Sequence, residues 1–145
     1  MKPITVARTS LLMLWLLGLP GCGRNLPQTV SVSGRVTFSG GPPPAPGTVN
    51  FQPLEAADGL PLRPGSGRFG TDGHFQVTSY DGVRGLVPGR YRASITCLAG
   101  EPAPVPGGWE AASYVPADYE PPELVVEPGT RRIANLHYDV PPKPR

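Results

Sequence analysis

The two cysteines of this chain have the most distinctive side-chain chemistry, and they stand in contrasting settings. Cys22 follows an apolar stretch from Leu11 to Leu19, and the positive charges of Lys2 and Arg8 precede that stretch. A short basic segment, an apolar run and a small residue before a cleavage point form the layout of a secretory signal. The apolar run is about nine residues, whereas a membrane-spanning helix needs about 20. The sequence therefore predicts an exported chain that loses residues 1–21.

The segment Leu19-Pro20-Gly21-Cys22 resembles the lipobox of bacterial lipoproteins. Gly21 directly before the cysteine and Leu19 at the third position before it match that family, whereas Pro20 replaces a small or β-branched residue. The resemblance implies cleavage before Cys22, with acyl chains on its thiol and on the new N-terminus. It predicts a signal-peptide helix over 1–21, a tether over 22–28, and membrane lipid as a partner.

The same resemblance implies a location in the cell envelope. Gly23 follows the cysteine, in place of the Asp that retains lipoproteins at the inner membrane of enteric bacteria. By that analogy the outer membrane is favoured over the inner membrane. The alternative is an ordinary secreted protein in which Cys22 stands by chance at the cleavage site.

The charge balance argues against nucleic acid as a partner. Two of the 13 basic residues, Lys2 and Arg8, lie in the predicted signal, and the remaining ones balance the 11 acidic residues. The chain has no basic stripe with interleaved aromatic residues, which is the usual footprint of a nucleic-acid-binding surface.

Glycine and proline, with 19 and 21 copies, separate short runs of alternating apolar and polar residues. Residues 29–38 and 89–97 alternate most cleanly, as expected of half-buried strands. Asp72-Gly73 between 66–71 and 74–79 predicts a hairpin turn. With strands at 48–52, 123–126 and 132–140, the pattern predicts a seven-stranded antiparallel β-sandwich over 29–140, followed by a frayed tail over 141–145. In the last strand, Ala134, Leu136 and Tyr138 are expected to face inward.

Three segments resemble the transthyretin-like or carboxypeptidase-regulatory-like domain of small planctomycete-type lipoproteins. They are VSGRVTFSGGPPPAPGTVNFQP, GRFGTDGHFQVTSYDGVRGLVPGRYRASI and SYVPADYEPPELVVEPGTRRIANLHYDV. The resemblance covers nearly all of the mature chain and implies a β-sandwich. It implies no single function, because such sandwiches serve many roles.

The residues that could perform catalysis or bind metal lack the required settings. His74 and His137, the only histidines, fall on the polar phase of their strands and predict solvated surface residues and no metal site. The Tyr91-Arg92-Ala93-Ser94 segment is similar to the C-terminal motif of transthyretin-related hydroxyisourate hydrolases, but it lies mid-chain within a predicted strand. Cys97 shares the apolar phase of its strand, which predicts a buried small hydrophobe. We therefore expect no cofactor and no enzymatic activity.

The segment 98–122 is predicted to be a long, proline-braced loop and holds the candidate binding surface: Trp109, Tyr114 and Tyr119. Loops often carry binding, and large exposed aromatic residues dominate contact energy. A nearby acidic run, Asp118, Glu120 and Glu123, also allows a calcium or sugar site. Alternatively, the loop residues simply cover an open end of the sandwich.

The sequence thus predicts a lipid-anchored, non-enzymatic domain with a structural, interaction or ligand-binding role, and an envelope protein or glycan as its partner. The alternative is a carbohydrate-binding module or hydrolase-like enzyme that uses the 98–122 loop. A further possibility is a subunit of a larger envelope assembly.

Overall fold

The computed structural model describes residues 27–79 and 82–143, and within them the protein is all-β. Its ten strands are β1 (Ser31–Phe38), β2 (Gly47–Ala56), β3 (Gly65–Phe69), β4 (His74–Gln76), β5 (Thr78–Ser79), β6 (Gly89–Thr96), β7 (Ala103–Val105), β8 (Gly108–Glu110), β9 (Leu124–Val126) and β10 (Arg132–Val140). This part of the chain contains no helix of the length and hydropathy needed to cross a membrane. The predicted signal-peptide helix, Cys22 and residues 23–26 of the tether lie outside the described residues.

Eight strands form one mixed sheet, with a central order of β10-β1-β4-β3-β2-β6-β9 and with β5 paired to β3. The predicted purely antiparallel arrangement is wrong at one edge, because β1 and β10 pair in parallel over their whole length. The number of strands also exceeds the predicted seven. Two of the additional strands, β7 and β8, form a separate hairpin inside the segment that was expected to be a structureless loop.

The sheet curls so that its two ends share one apolar core. Phe51 on β2 lies 6.4 Å, between ring centroids, from both Phe75 on β4 and Tyr138 on β10. Because three strands separate β2 from β10 in the sheet order, this contact requires the sheet to bend over itself. The alternating faces of β1 and β6 supply much of the core, as their sequences predict: Val32, Val36, Tyr91, Ala93 and Ile95.

A bulge in β10 changes which of its residues face inward. The pairing with β1 is regular up to Ser33 and Ala134, and then skips Asn135, so that Gly34 pairs with Leu136. Asn135 has a backbone φ of 112°, a value that residues other than glycine seldom adopt. The prediction for Ala134 is therefore wrong: it pairs with the outward Ser33, and Ile133 packs against the core in its place.

Candidate functional site

Trp109 projects from the sheet and is the most exposed large hydrophobic residue among those described, with 74% of its surface accessible. It lies on β8, in the short hairpin that β8 forms with β7. Every residue from 98 to 110 is exposed, so the core does not hold this hairpin from either side. The ring of Trp109 is therefore available to a partner.

The two tyrosines predicted to share a surface with Trp109 occupy different environments. Tyr114 is 39% exposed, and its backbone N–H donates to the Cys97 carbonyl oxygen over 2.8 Å. Tyr119 packs against the core, and burial together with the nearby charge of Asp139 raises the pKa of its hydroxyl. Trp109 thus presents the most exposed ring of the three, while Tyr119 contributes to packing.

The acidic residues of the same segment do not gather into a metal site. No group of three or more potential metal ligands occurs within residues 27–79 and 82–143. Glu123 lies 3.7 Å from the Arg90 guanidinium, which also contacts Glu55 over 3.5 Å. Asp118 and Glu120 are exposed. These carboxylates serve as solvated surface groups and as partners of one arginine.

Cys97 lies fully inside the core, as the phase of its strand predicts. Its thiol donates to the Ala45 carbonyl oxygen over 3.3 Å, and burial raises the pKa of the thiol. A raised pKa lowers the fraction of reactive thiolate. Burial and the raised pKa together disfavour reaction of this thiol in the folded protein.

A second candidate site lies on the outer face of β4, β1 and β10. There the register places His74 opposite Arg35 and Arg35 opposite His137, in a row across three strands. Neighbouring strands are about 5 Å apart, so these three side chains emerge side by side. They border an open depression of about 390 Å³, whose lining also includes Ser33, Gly34, Phe75, Arg132, Ala134, Asn135 and Leu136.

Hydrogen bonds fix one member of this row. The Thr37 hydroxyl donates to the Asp139 carboxylate over 2.6 Å and lies 2.9 Å from Nε2 of His137. Because the only hydroxyl proton of Thr37 is engaged by Asp139, Nε2 must be the protonated nitrogen that donates to Thr37. The Thr37 and Gly40 hydrogen bonds lower the pKa of Asp139, which keeps this acceptor ionised.

The arginines of the depression keep donors available. Arg35 uses Nε to donate to the Asp72 carbonyl oxygen over 3.3 Å. Among the described residues, no carboxylate forms an ion pair with Arg35 or Arg132. The outward phase of His74 and His137 was predicted correctly, but their alignment was not, because it depends on the parallel pairing of β1 with β10.

No protein-family model, curated protein or solved structure matches this chain.

Proposed function

We propose that this protein is a lipid-anchored, non-enzymatic binding domain of the bacterial cell envelope, in which the β7–β8 hairpin contacts the partner. The observation that carries the proposal is the exposure of Trp109 on a hairpin outside the core. Burying a tryptophan on binding contributes large apolar area, which is why tryptophan is enriched among the residues that dominate interfaces. A rigid sheet beneath a projecting hairpin suits such recognition.

The anchor in this proposal is Cys22. Its support is the sequence pattern alone: a basic segment, an apolar run and Gly21 before the cysteine. Two or more acyl chains on one residue hold a protein stably at a membrane, whereas a single chain gives only marginal binding. The outer membrane is the preferred location, by analogy with the sorting rule for the residue at position 23.

We also propose that the curled sheet is a variant of the transthyretin-like sandwich. Support comes from the approach of β10 to β2 across the core, where the rings of Tyr138 and Phe51 lie 6.4 Å apart between centroids. Further support comes from the Thr71-Asp72-Gly73 turn and the Gly89-to-Thr96 strand, which are segments that carry the resemblance.

A glycan is the second candidate partner, and the exposed indole ring favours it. A sugar ring can stack on the face of one tryptophan, whereas the partly buried Tyr119 adds no second exposed platform. A protein partner would instead enclose Trp109 in an apolar pocket. The two candidates therefore predict different binding: a protein partner would be isolated with the full-length protein from solubilised envelope, whereas a glycan partner would co-sediment with it.

The test compares three full-length proteins: the wild type, Trp109→Ala, and Leu62→Ala as a control. Leu62 is another exposed hydrophobic residue, with 59% of its surface accessible, outside the hairpin. Each protein is used in affinity isolation from detergent-solubilised envelope and in co-sedimentation with isolated cell-wall glycan. We expect Trp109→Ala to lose the partner while unfolding at the wild-type temperature, and Leu62→Ala to retain it.

The outcomes separate the possibilities. Loss of a specific protein supports protein recognition, and loss of sedimentation supports glycan binding. If Trp109→Ala lowers the melting temperature markedly and keeps its partner, Trp109 has a structural role and the hairpin is not the binding element.

A further inference from the structure

We propose that the outer-face depression between β4, β1 and β10 is a second binding site, and that its ligand is a phosphate group. The site is distinct from the Trp109 hairpin and does not depend on the function proposed for that hairpin. Its lining brings together Arg35, Arg132, His74 and His137 from three strands. Four nitrogen-bearing side chains around one open concavity suit an oxyanion better than any neutral ligand.

The two arginines supply the permanent positive charge. Arg35 is tethered through Nε to the Asp72 carbonyl oxygen, and no other described residue accepts a hydrogen bond from its terminal guanidinium nitrogens. A planar guanidinium donates two parallel hydrogen bonds to a phosphate, which fixes the ligand's orientation as well as attracting it. Arg132 enters the same depression from β10, and no described carboxylate pairs with either arginine.

His137 is held in place for the same ligand. With Nε2–H donating to Thr37, Nδ1 is the ring nitrogen left to the depression. In that tautomer Nδ1 is a hydrogen-bond acceptor, which suits the P–OH group of a hydrogen phosphate.

The nearby carboxylates do not occupy the site. Asp139 accepts hydrogen bonds from Thr37 and from the Gly40 backbone N–H over 2.9 Å. The Asp72 carboxylate accepts from the His74 backbone N–H over 3.3 Å within the β3–β4 turn. Neither residue lines the depression. Its surface is therefore positive on balance, although the charges of the mature chain cancel overall.

The bulge at Asn135 forms part of the lining of the site. It displaces one residue of β10 from the regular ladder next to Ser33, and both Ser33 and Asn135 line the depression. Bulges commonly re-aim side chains beside binding sites. Because Asn135 is skipped in the pairing, Arg132, Ala134 and His137 share the outer face of β10. The small side chain of Ala134 therefore stands between the basic side chains of Arg132 and His137.

The test is a titration of the full-length protein in dodecyl maltoside with inorganic phosphate, at constant ionic strength, followed by NMR. We expect saturable shifts confined to the backbone amides around Gly34, His74 and His137. Arg35→Gln and, separately, Arg132→Gln should each weaken binding by about tenfold, the usual contribution of one charged hydrogen bond. Arg92→Gln is the matched control, since Arg92 is exposed on β6 outside the depression, and it should leave the affinity unchanged.

A parallel titration with glycerol 3-phosphate distinguishes free phosphate from phosphate carried on a larger molecule such as a lipid headgroup. Tighter binding of the ester, with the same loss in Arg35→Gln, assigns the site to esterified phosphate. Tighter binding of inorganic phosphate assigns it to the free ion. The proposal is overturned if neither ligand gives saturable shifts, or if Arg92→Gln weakens binding as much as both depression variants do.

Discussion

Two buried tyrosines illustrate how the same side chain contributes differently to stability at the residue scale. The Tyr91 hydroxyl donates to the Val87 carbonyl oxygen over 2.7 Å, and burial raises the pKa of Tyr91 to about 12, so the donor proton is retained. The Tyr138 hydroxyl is buried with no hydrogen-bond partner among the described residues. Burying a polar group without a partner costs free energy that a hydrogen bond otherwise offsets.

Removing these two hydroxyls should change stability differently. We expect Tyr91→Phe to lower the free energy of unfolding by roughly 1–3 kcal/mol, because it leaves a buried carbonyl unpaired. Tyr138→Phe should leave stability unchanged or raise it, because only the uncompensated hydroxyl is lost. Urea denaturation of both variants measures the difference. Equal destabilisation would show that the Tyr138 hydroxyl is hydrogen-bonded in solution.

Adjacent residues on β6 test the assigned phase of that strand. Ile95 points into the core and Thr96 points outward. We expect Ile95→Ala to cost roughly 2–5 kcal/mol of stability, the usual range for a large-to-small change in a core. Thr96→Ala should change stability by less than about 0.5 kcal/mol, as is typical of surface substitutions. Thermal or chemical unfolding that gave similar losses at both positions would contradict the phase.

At the scale of elements, the β3–β4 hairpin depends on one glycine. Gly73 has a φ of 77°, in the left-handed region, and a Cβ atom there would lie 2.2 Å from the Val36 carbonyl oxygen. The Val36 backbone N–H also donates to the Gly73 carbonyl oxygen, so the turn is fixed directly against β1. The hairpin links the β1 side of the sheet to the β2 side, which makes the turn important for the curl of the whole sheet.

A matched pair of substitutions separates backbone conformation from close packing at this turn. Gly59 has a φ of 76°, and a Cβ atom there meets nothing within 4 Å. We expect Gly59→Ala to cost about 1 kcal/mol from its left-handed conformation alone. Gly73→Ala should cost clearly more, because the Val36 carbonyl must also move. Comparable melting temperatures for the two variants would rule out a packing role for Gly73.

At the scale of the whole molecule, the acyl anchor that we propose on Cys22 would determine where the domain works. We expect protein isolated from its native host to lack residues 1–21 and to carry acyl mass on Cys22. Cys22→Ala should abolish the acyl mass, whereas Cys97→Ala should retain it, because Cys97 lies inside the core. Intact-mass spectrometry distinguishes these products. An unmodified Cys22 in the wild-type protein would remove the membrane from the proposed function.

Much of the fold could be predicted because strand alternation is local. The phases of β1 and β6 and the burial of Cys97 each follow from neighbouring residues, and each is confirmed. The hairpin around Asp72 is confirmed too, but its turn spans Gly70 to Gly73 and is longer than the predicted two residues. The limits of β10 also match the prediction. Among the candidate site residues, the sequence favoured Trp109 as the binding residue because it lies outside the segments that carry the resemblance, whereas Tyr119 lies within one of them and was expected to pack. In the structure Trp109 is exposed and Tyr119 packs against the core.

The sequence by itself determined the all-β class and most inward-facing residues, because a period of two along the chain follows directly from strand geometry. Only the tertiary structure decided that β10 pairs in parallel with β1, because residues about 100 positions apart carry no local signal of their pairing. That pairing, together with the bulge at Asn135, aligns His74, Arg35 and His137 around one depression. The bulge reverses the alternation between Ala134 and Leu136, so periodicity read from the sequence, which set both residues on one face, placed Ala134 on the wrong face.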